Sequence, residues 1–356
     1  MKKRKRKSVK KLFIAILLQL SLILLLIISC TSLFKLLRSE QSNNNKLPPT
    51  SEPVHEEVIV EEEALDKDAT EPFSYIEAST KENDKKTEQG SKLSVIDLKE
   101  TQLSSNNAIL ISLEDQKIVF EKDSEKTIYP ASLTKIMTAI VAIENMKDLN
   151  EPILLPSDLF QKLYDENASM AGFLPEESVP AIDLLYGVIL PSGAECCLGL
   201  SDYIAGSEAS FVELMNEKAE ALNMKHTHFT NSTGLSDPEH YTTVKDLALL
   251  LEYALQNDTF REIFTSTKHS TQSTKLHPGG ITFNSTLYKN LDSPEFNGGV
   301  ILGGKTGYTG EAGLCLASLA RKNDEEYILV TVGAKGNHDT EQFNISDAFL
   351  VYNSLE

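Results

Sequence analysis

Apolar and polar positions divide the chain into stretches of unlike character. Residues 12–28 are apolar with Gln19 and Ser21 the main interruptions, and a run of about 20 such residues can span a bilayer. Residues 39–92 are polar and acidic, with Asn43-Asn44-Asn45, Pro48-Pro49 and Glu61-Glu62-Glu63, and Val58-Ile59-Val60 is too short to seed a core. That composition predicts a disordered tether, extended by its like charges. Beyond it, apolar residues recur with the periods of folded elements. Ile136 to Ile143 predicts a helix buried almost all round, and Phe211 to Leu222 a second helix. The glycine-rich stretch Asn297 to Gly310, then Leu314 to Ala320, then Tyr327 to Gly333, predict three strands of an antiparallel meander. Ile345 to Leu355 reads as a last helix packed on that sheet. The fold class is α/β, and the roughly 264 residues after the tether suffice for one large domain or two intimately packed subdomains.

Charge sharpens the division. The chain carries a net −18, yet residues 1–38 hold ten Lys/Arg and no acid, which leaves −28 for residues 39–356. So acidic a body argues against nucleic-acid binding. The basic cluster flanks the apolar run and predicts a cytoplasmic N-terminus with the remainder exported. The leader therefore reads as a basic tail over 1–11 and a transmembrane signal anchor over 12–34, followed by an acidic linker over 35–92. No Ala-x-Ala cleavage site is present, while Ile27-Ile28-Ser29-Cys30 resembles a lipoprotein box, so lipidation at Cys30 is a second reading. The four cysteines form no disulfide framework. Cys196 and Cys197 are adjacent, Cys315 lies in a predicted strand, and all three read as buried thiols.

The candidate chemistry is Ser132-Leu133-Thr134-Lys135, answered downstream by Lys305-Thr306-Gly307. A serine and a lysine three residues apart share a face only on a helix. The apolar run that follows places Ser132 in the first turn, where free N–H groups favour developing negative charge. Lys135 then lies one turn deeper, in surroundings that disfavour its charged form, and a hydroxyl beside a neutral lysine is an activated nucleophile. Ser-x-x-Lys alone is weak: it occurs at Ser8, Ser32 and Ser132. Taken singly, the Ser132 copy reads more readily as a capping serine and a solvated lysine, and Lys-Thr-Gly as an exposed turn.

The surrounding segments decide. Tyr129-Pro130-Ala131-Ser132-Leu133-Thr134-Lys135-Ile136-Met137-Thr138-Ala139 resembles the first motif of the serine D,D-peptidases of bacterial cell walls, the low-molecular-weight penicillin-binding proteins. Ser169 to Leu174, Leu184 to Gly193, Asn231 to Leu235 and Tyr241 to Asp246 are similar to further segments of the carboxypeptidase branch, and the match covers residues 93–356. The resemblance implies a mostly antiparallel sheet covered by helices, with a helical subdomain inserted between the first and third motifs. Ser132 would attack the carbonyl between the terminal D-alanines of a peptidoglycan stem peptide, Lys135 would take its proton, and Ser192 would relay a proton to the leaving group. Lys305 and Thr306 would hold the substrate carboxylate, Gly307 would let the peptide lie along the strand, and the N–H groups of Ser132 and Tyr308 would form an oxyanion hole. β-Lactams would acylate Ser132. No cofactor or metal is implied.

One position departs. The second motif of the family reads Ser-Gly-Asn, whereas this chain has Ser192-Gly193-Ala194 followed by Glu195. Alanine supplies no amide, so the asparagine's role is vacant, or Glu195 or another residue fills it. That departure is the feature favouring a penicillin- or wall-peptide-binding module with poor turnover. A class A β-lactamase would need a deacylating acid, for which Asp165-Glu166-Asn167 is the candidate. A zinc peptidase would draw on His226, His228 and His240, which read instead as surface histidines. The expected activity is a membrane-anchored serine D,D-carboxypeptidase, of a kind that also accompanies some glycopeptide-resistance systems.

Overall fold

Strand Asn107–Ser112 (β1) reads Asn-Ala-Ile-Leu-Ile-Ser and is buried along its whole length, as a strand covered on both faces must be. The computed structural model describes residues 98–99 and 102–356. The expected basic tail, signal anchor and tether, and Cys30 with them, lie outside these residues. Among the described residues, no helix is long and apolar enough to cross a membrane.

β1 sits within a six-stranded, fully antiparallel sheet of order β2-β1-β10-β9-β8-β7. β2 is Lys117–Lys122 and β7 is Glu295–Phe296, while β3 (Pro152–Leu155) pairs with β4 (Glu177–Pro180) and β5 (Lys268–Ser270) with β6 (Thr282–Asn284) in two small separate sheets. The predicted meander forms as β8 (Gly299–Thr309), β9 (Gly313–Lys322) and β10 (Glu325–Ala334). Strand alternation sends β1 residues Ala108 and Leu110 to one face, where Ile345, Ala348, Val351 and Tyr352 of the last helix pack. That helix spans Phe343–Asn353. Ile109 and Ile111 point to the other face and join a second, larger core.

The second core is built around helix Thr134–Asn145 (α1), whose residues from Thr134 to Ile143 are all buried. Its neighbours include helices Ala181–Ile189 (α2), Ala194–Ala205 (α3), Glu208–Ala221 (α4), Val244–Leu255 (α5) and Asp258–Thr265 (α6). Local signals bound these helices. Ser207, Thr243 and Asn257 cap α4, α5 and α6 by accepting from backbone N–H groups, and Gly206 ends α3 in the left-handed region. The same core contains Ile328 and Val330 of the sheet together with Ile140, Leu184, Phe211 and Leu247 of the helices. Helical lobe and sheet thus share one continuous apolar interior. Cys196, Cys197 and Cys315 are all buried free thiols within the fold.

Candidate active site

The nucleophile candidate sits where the chain is most constrained. Ser132 occupies a 3₁₀ turn, Ala131–Leu133, immediately before α1, rather than the first α-helical turn expected from spacing. Ala131 carries φ +47°, which prevents the helix from extending backward and forces the tighter turn. Gly234, at φ +80°, packs against this turn so closely that a Cβ would lie 1.9 Å from the Ala131 carbonyl oxygen. Gly307 of β8 meets it from the other side, where a Cβ would lie 3.1 Å from the Ser132 nitrogen. The absence of a side chain at Gly307 therefore serves the contact between strand and nucleophile turn.

Lys135 Nζ donates to Ser132 Oγ at 3.3 Å and to the Thr233 carbonyl at 2.6 Å. Asn231 Oδ1 accepts from the N–H groups of Thr233 and Gly234, at 3.2 and 2.7 Å, and fixes the loop that presents this carbonyl. The lysine is 2 % exposed, and burial lowers its pKa from the usual lysine range. The neighbouring Cys197 thiol, itself pushed by burial up to about 12, is neutral at pH 7 and lends Lys135 no negative charge.

The second and third motifs meet directly. Lys305, fully buried on β8, donates to Ser192 Oγ at 3.0 Å and to the Thr306 carbonyl at 2.6 Å. Burial first, and the charge of Lys135 second, hold its pKa well below the lysine range. The resemblance implies that Lys305 holds the substrate carboxylate; in this structure its ammonium meets the Ser192 hydroxyl. Ser192 has φ +69°, an uncommon conformation for a non-glycine residue, and its hydroxyl accepts from Lys305. Thr306 Oγ1 shares a 2.6 Å hydrogen bond with Thr286 Oγ1.

Two adjoining cavities, of about 460 and 260 Å³, both open on Ser132, Ser169, Tyr308 and His338. The larger is also lined by Lys135, Glu166, Asn167, Ala194 and Thr233; the smaller by Ser192, Thr286, Thr306 and Gly307. All seven residues expected at the site thus gather around one groove, Lys305 behind its wall. Ala194 borders the larger cavity beside Ser132 and Lys135, so the missing amide is missing at the reacting centre.

Glu195 does not replace that amide. It is fully buried, and its Oε1 accepts from the N–H groups of Ala171 and Gly172 at 2.7 and 2.8 Å and of Phe173 at 3.3 Å. It pins the segment that carries Ser169, and its charge works against burial on the Lys135 pKa. Burial raises its pKa, against the lowering effect of those N–H groups. His240 is not the surface histidine expected: it is 2 % exposed, and its Nε2 lies 2.8 Å from Thr134 Oγ1 at the start of α1. Burial lowers its pKa to about 4. His226 and His228 lie elsewhere, His228 with Nδ1 2.7 Å from the Glu239 carbonyl. Thr286 and His338 were not identified from sequence. Both come from loops that no local pattern links to the motifs.

The geometry agrees with the comparisons to known proteins. A family model described as D-alanyl-D-alanine carboxypeptidase matches residues 94–336. The chain is 33 % identical over 238 residues to D-alanyl-D-alanine carboxypeptidase DacF of Bacillus subtilis (strain 168), covering 65 % of this chain and 57 % of that protein. It is 32 % identical over 254 residues to DacC of Escherichia coli (strain K12), covering 68 % and 60 % respectively. The chain thus spans under two thirds of the length of these relatives. The crystal structure of the Streptomyces K15 DD-transpeptidase superposes with a TM-score of 0.63 at 23 % identity, covering 71 % of this chain and 97 % of that one, which is a likeness of fold. With the family model spanning most of the chain and its motif residues assembled around one groove, this protein belongs to the D-alanyl-D-alanine carboxypeptidase family of serine peptidases.

Proposed function

We propose that the chain is a serine D,D-carboxypeptidase that removes the terminal D-alanine from peptidoglycan stem peptides. The observation that carries this reading is the 3.3 Å approach of the buried Lys135 Nζ to Ser132 Oγ on the groove wall. A lysine whose charged form burial disfavours is suited to act as a base, and a serine within its reach to act as a nucleophile. Ser132 Oγ adds to the carbonyl between the two D-alanines as its proton passes to Lys135. Collapse of the tetrahedral adduct breaks the peptide bond. Ser192, held by Lys305, passes a proton to the leaving amine, and free D-alanine departs. The N–H groups of Ser132 and Tyr308 face the developing oxyanion, the kind of contribution worth about 3 kcal/mol in such sites. Water then hydrolyses the ester on Ser132. A β-lactam enters the same sequence as far as the acyl-enzyme.

The leader supports the rest of the reading. A basic tail, an apolar run long enough to span a bilayer and an acidic tether suit a single-pass anchor with the groove outside the cytoplasm. Trimming of stem peptides there would remove the terminus that glycopeptide antibiotics grip, the basis for the resistance role.

A second reading, a binding module with poor turnover, is favoured by Ala194 at the groove wall. The test uses the full chain with a pentapeptide ending in D-Ala-D-Ala and measures free D-alanine. Release that disappears in Ser132→Ala supports the carboxypeptidase. Labelling of Ser132 by a fluorescent penicillin without D-alanine release supports the binding module. Activity that persists in Ser132→Ala sinks both.

A further inference from the structure

The two ends of the groove differ in charge. The larger cavity holds Glu166 in its wall, whereas no carboxylate lines the smaller one. The larger also carries Lys135, so the difference that bears on a peptide's free C-terminal carboxylate is that the smaller cavity holds no repelling acid. The cation expected to meet that carboxylate, Lys305, is fully buried and engaged with Ser192 and the Thr306 carbonyl. Lys289 is the one lysine or arginine in the smaller cavity's wall. It is exposed, and no hydrogen bond or ion pair among the described residues engages its ammonium.

The turn that carries Lys289 is firmly held. Thr286 N donates to the Leu190 carbonyl at 3.0 Å, two residues before Ser192, and Thr286 Oγ1 bonds to Thr306 Oγ1. Tyr288 Oη donates to the Ile301 carbonyl at 3.1 Å. Leu287 is fully buried over Gly304, where a Cβ would come within 2.8 Å of it. The backbone of Lys289 is thus fixed beside Thr306, and only its side chain is free to move.

We propose that Lys289 is a specificity-determining residue that reads the free C-terminal carboxylate of the substrate, with the Thr306 hydroxyl beside it. The inference rests on the carboxypeptidase reading and names the group that selects for it. A peptide whose terminus is an amide keeps the same scissile bond and loses this contact.

The experiment compares wild-type, Lys289→Met and Lys289→Arg full-length chains on two peptides that differ only in a C-terminal carboxylate or carboxamide. Acylation by a fluorescent penicillin, which carries a carboxylate, is followed in parallel. For an exposed charge, Lys289→Met should raise KM for the carboxylate peptide about fivefold with kcat nearly unchanged. The carboxamide peptide should respond to neither variant, Lys289→Arg should retain most of the preference, and about 0.5 M salt should shrink it. Equal effects on both peptides, or none, overturn the proposal. If penicillin acylates the wild type but no D-alanine is released, the acylation rates decide, and an unchanged rate in Lys289→Met overturns it. A wild type that neither releases D-alanine nor takes penicillin refutes the functional reading, and this inference with it.

Discussion

Lys305 donates to Ser192 Oγ at 3.0 Å, so the third motif acts on the second before either meets a substrate. One residue holds the other, and their contributions should not add. Ser192→Ala is expected to lower D-alanine release about a hundredfold or more, the usual weight of a positioned proton donor. Lys305→Met should cost a similar factor, and the double variant little more than the worse single one. Additive losses in that cycle would mean that Lys305 acts on the substrate independently of Ser192.

The base should reveal itself through pH. Burial lowers the pKa of Lys135, so the rate of Ser132 acylation should rise with pH and reach half its plateau below the ordinary lysine range. Lys135→Arg, always charged, should remove both the rate and its pH dependence. Stability has a matching sign. Between the folded and unfolded pKa values the unfolded chain binds the extra proton, so stability grows as pH climbs through that window. Stopped-flow acylation with a fluorescent penicillin measures the first effect and denaturant titration the second.

His240 should make the fold sensitive to acid. Its folded pKa of about 4 lies below the ordinary histidine value, so the unfolded state takes up the proton first as pH falls. The stability it contributes is fully present at pH 7, declines from about 6.5, and is gone below about 4, a loss on the order of 3 kcal/mol. Urea midpoints measured from pH 7 to 4 should fall less steeply in His240→Gln than in the wild type, after allowance for its lower starting stability.

Glu195 should be structural in effect. Glu195→Ala deprives the N–H groups of Ala171, Gly172 and Phe173 of their acceptor and should cost about 3 kcal/mol, read as a lower melting temperature. Glu195→Gln keeps an acceptor and should cost less. Equal loss of stability in both variants would show that the negative charge, not the acceptor, is what the segment requires.

Ala194 offers a test in the opposite direction. Ala194→Asn places an amide in the cavity wall beside Ser132 and Lys135, and one added hydrogen bond to the reacting centre should raise D-alanine release about fivefold. A fall in rate with an unchanged melting temperature would show that the cavity volume at this position is itself in use.

The sequence carried the three strands, the buried helix and the final helix because each depends on local periodicity, and all appear near their expected limits. Ser132, Lys135, Ser192 and Lys305 were legible through their flanking segments. The start of α1 was not, since Ala131 adopts a positive φ that residue type does not announce. The place of Glu195 stayed open for a related reason. Its acceptor role depends on a segment 22 to 24 residues earlier in the chain, a proximity made only by folding. Lys305 was expected at the substrate carboxylate through the resemblance, and its contact with Ser192 is a long-range pairing that only folding makes. His240 and Lys289 carry no motif at all.

The apolar interior common to the sheet and the helical lobe has a mechanical consequence. Ser132 and Lys135 hang from the helical side and Lys305 from β8, yet no seam separates the two. The spacing of these groups is then set by side-chain volumes around α1, because both walls of the groove rest on one packed core. An enlarged residue at Ala139 or Ala142, both fully buried on α1, would displace the nucleophile relative to Lys305 without touching either one. The relative placing of Ser132, Lys135 and Lys305 is inherited from how well the middle of the domain is filled.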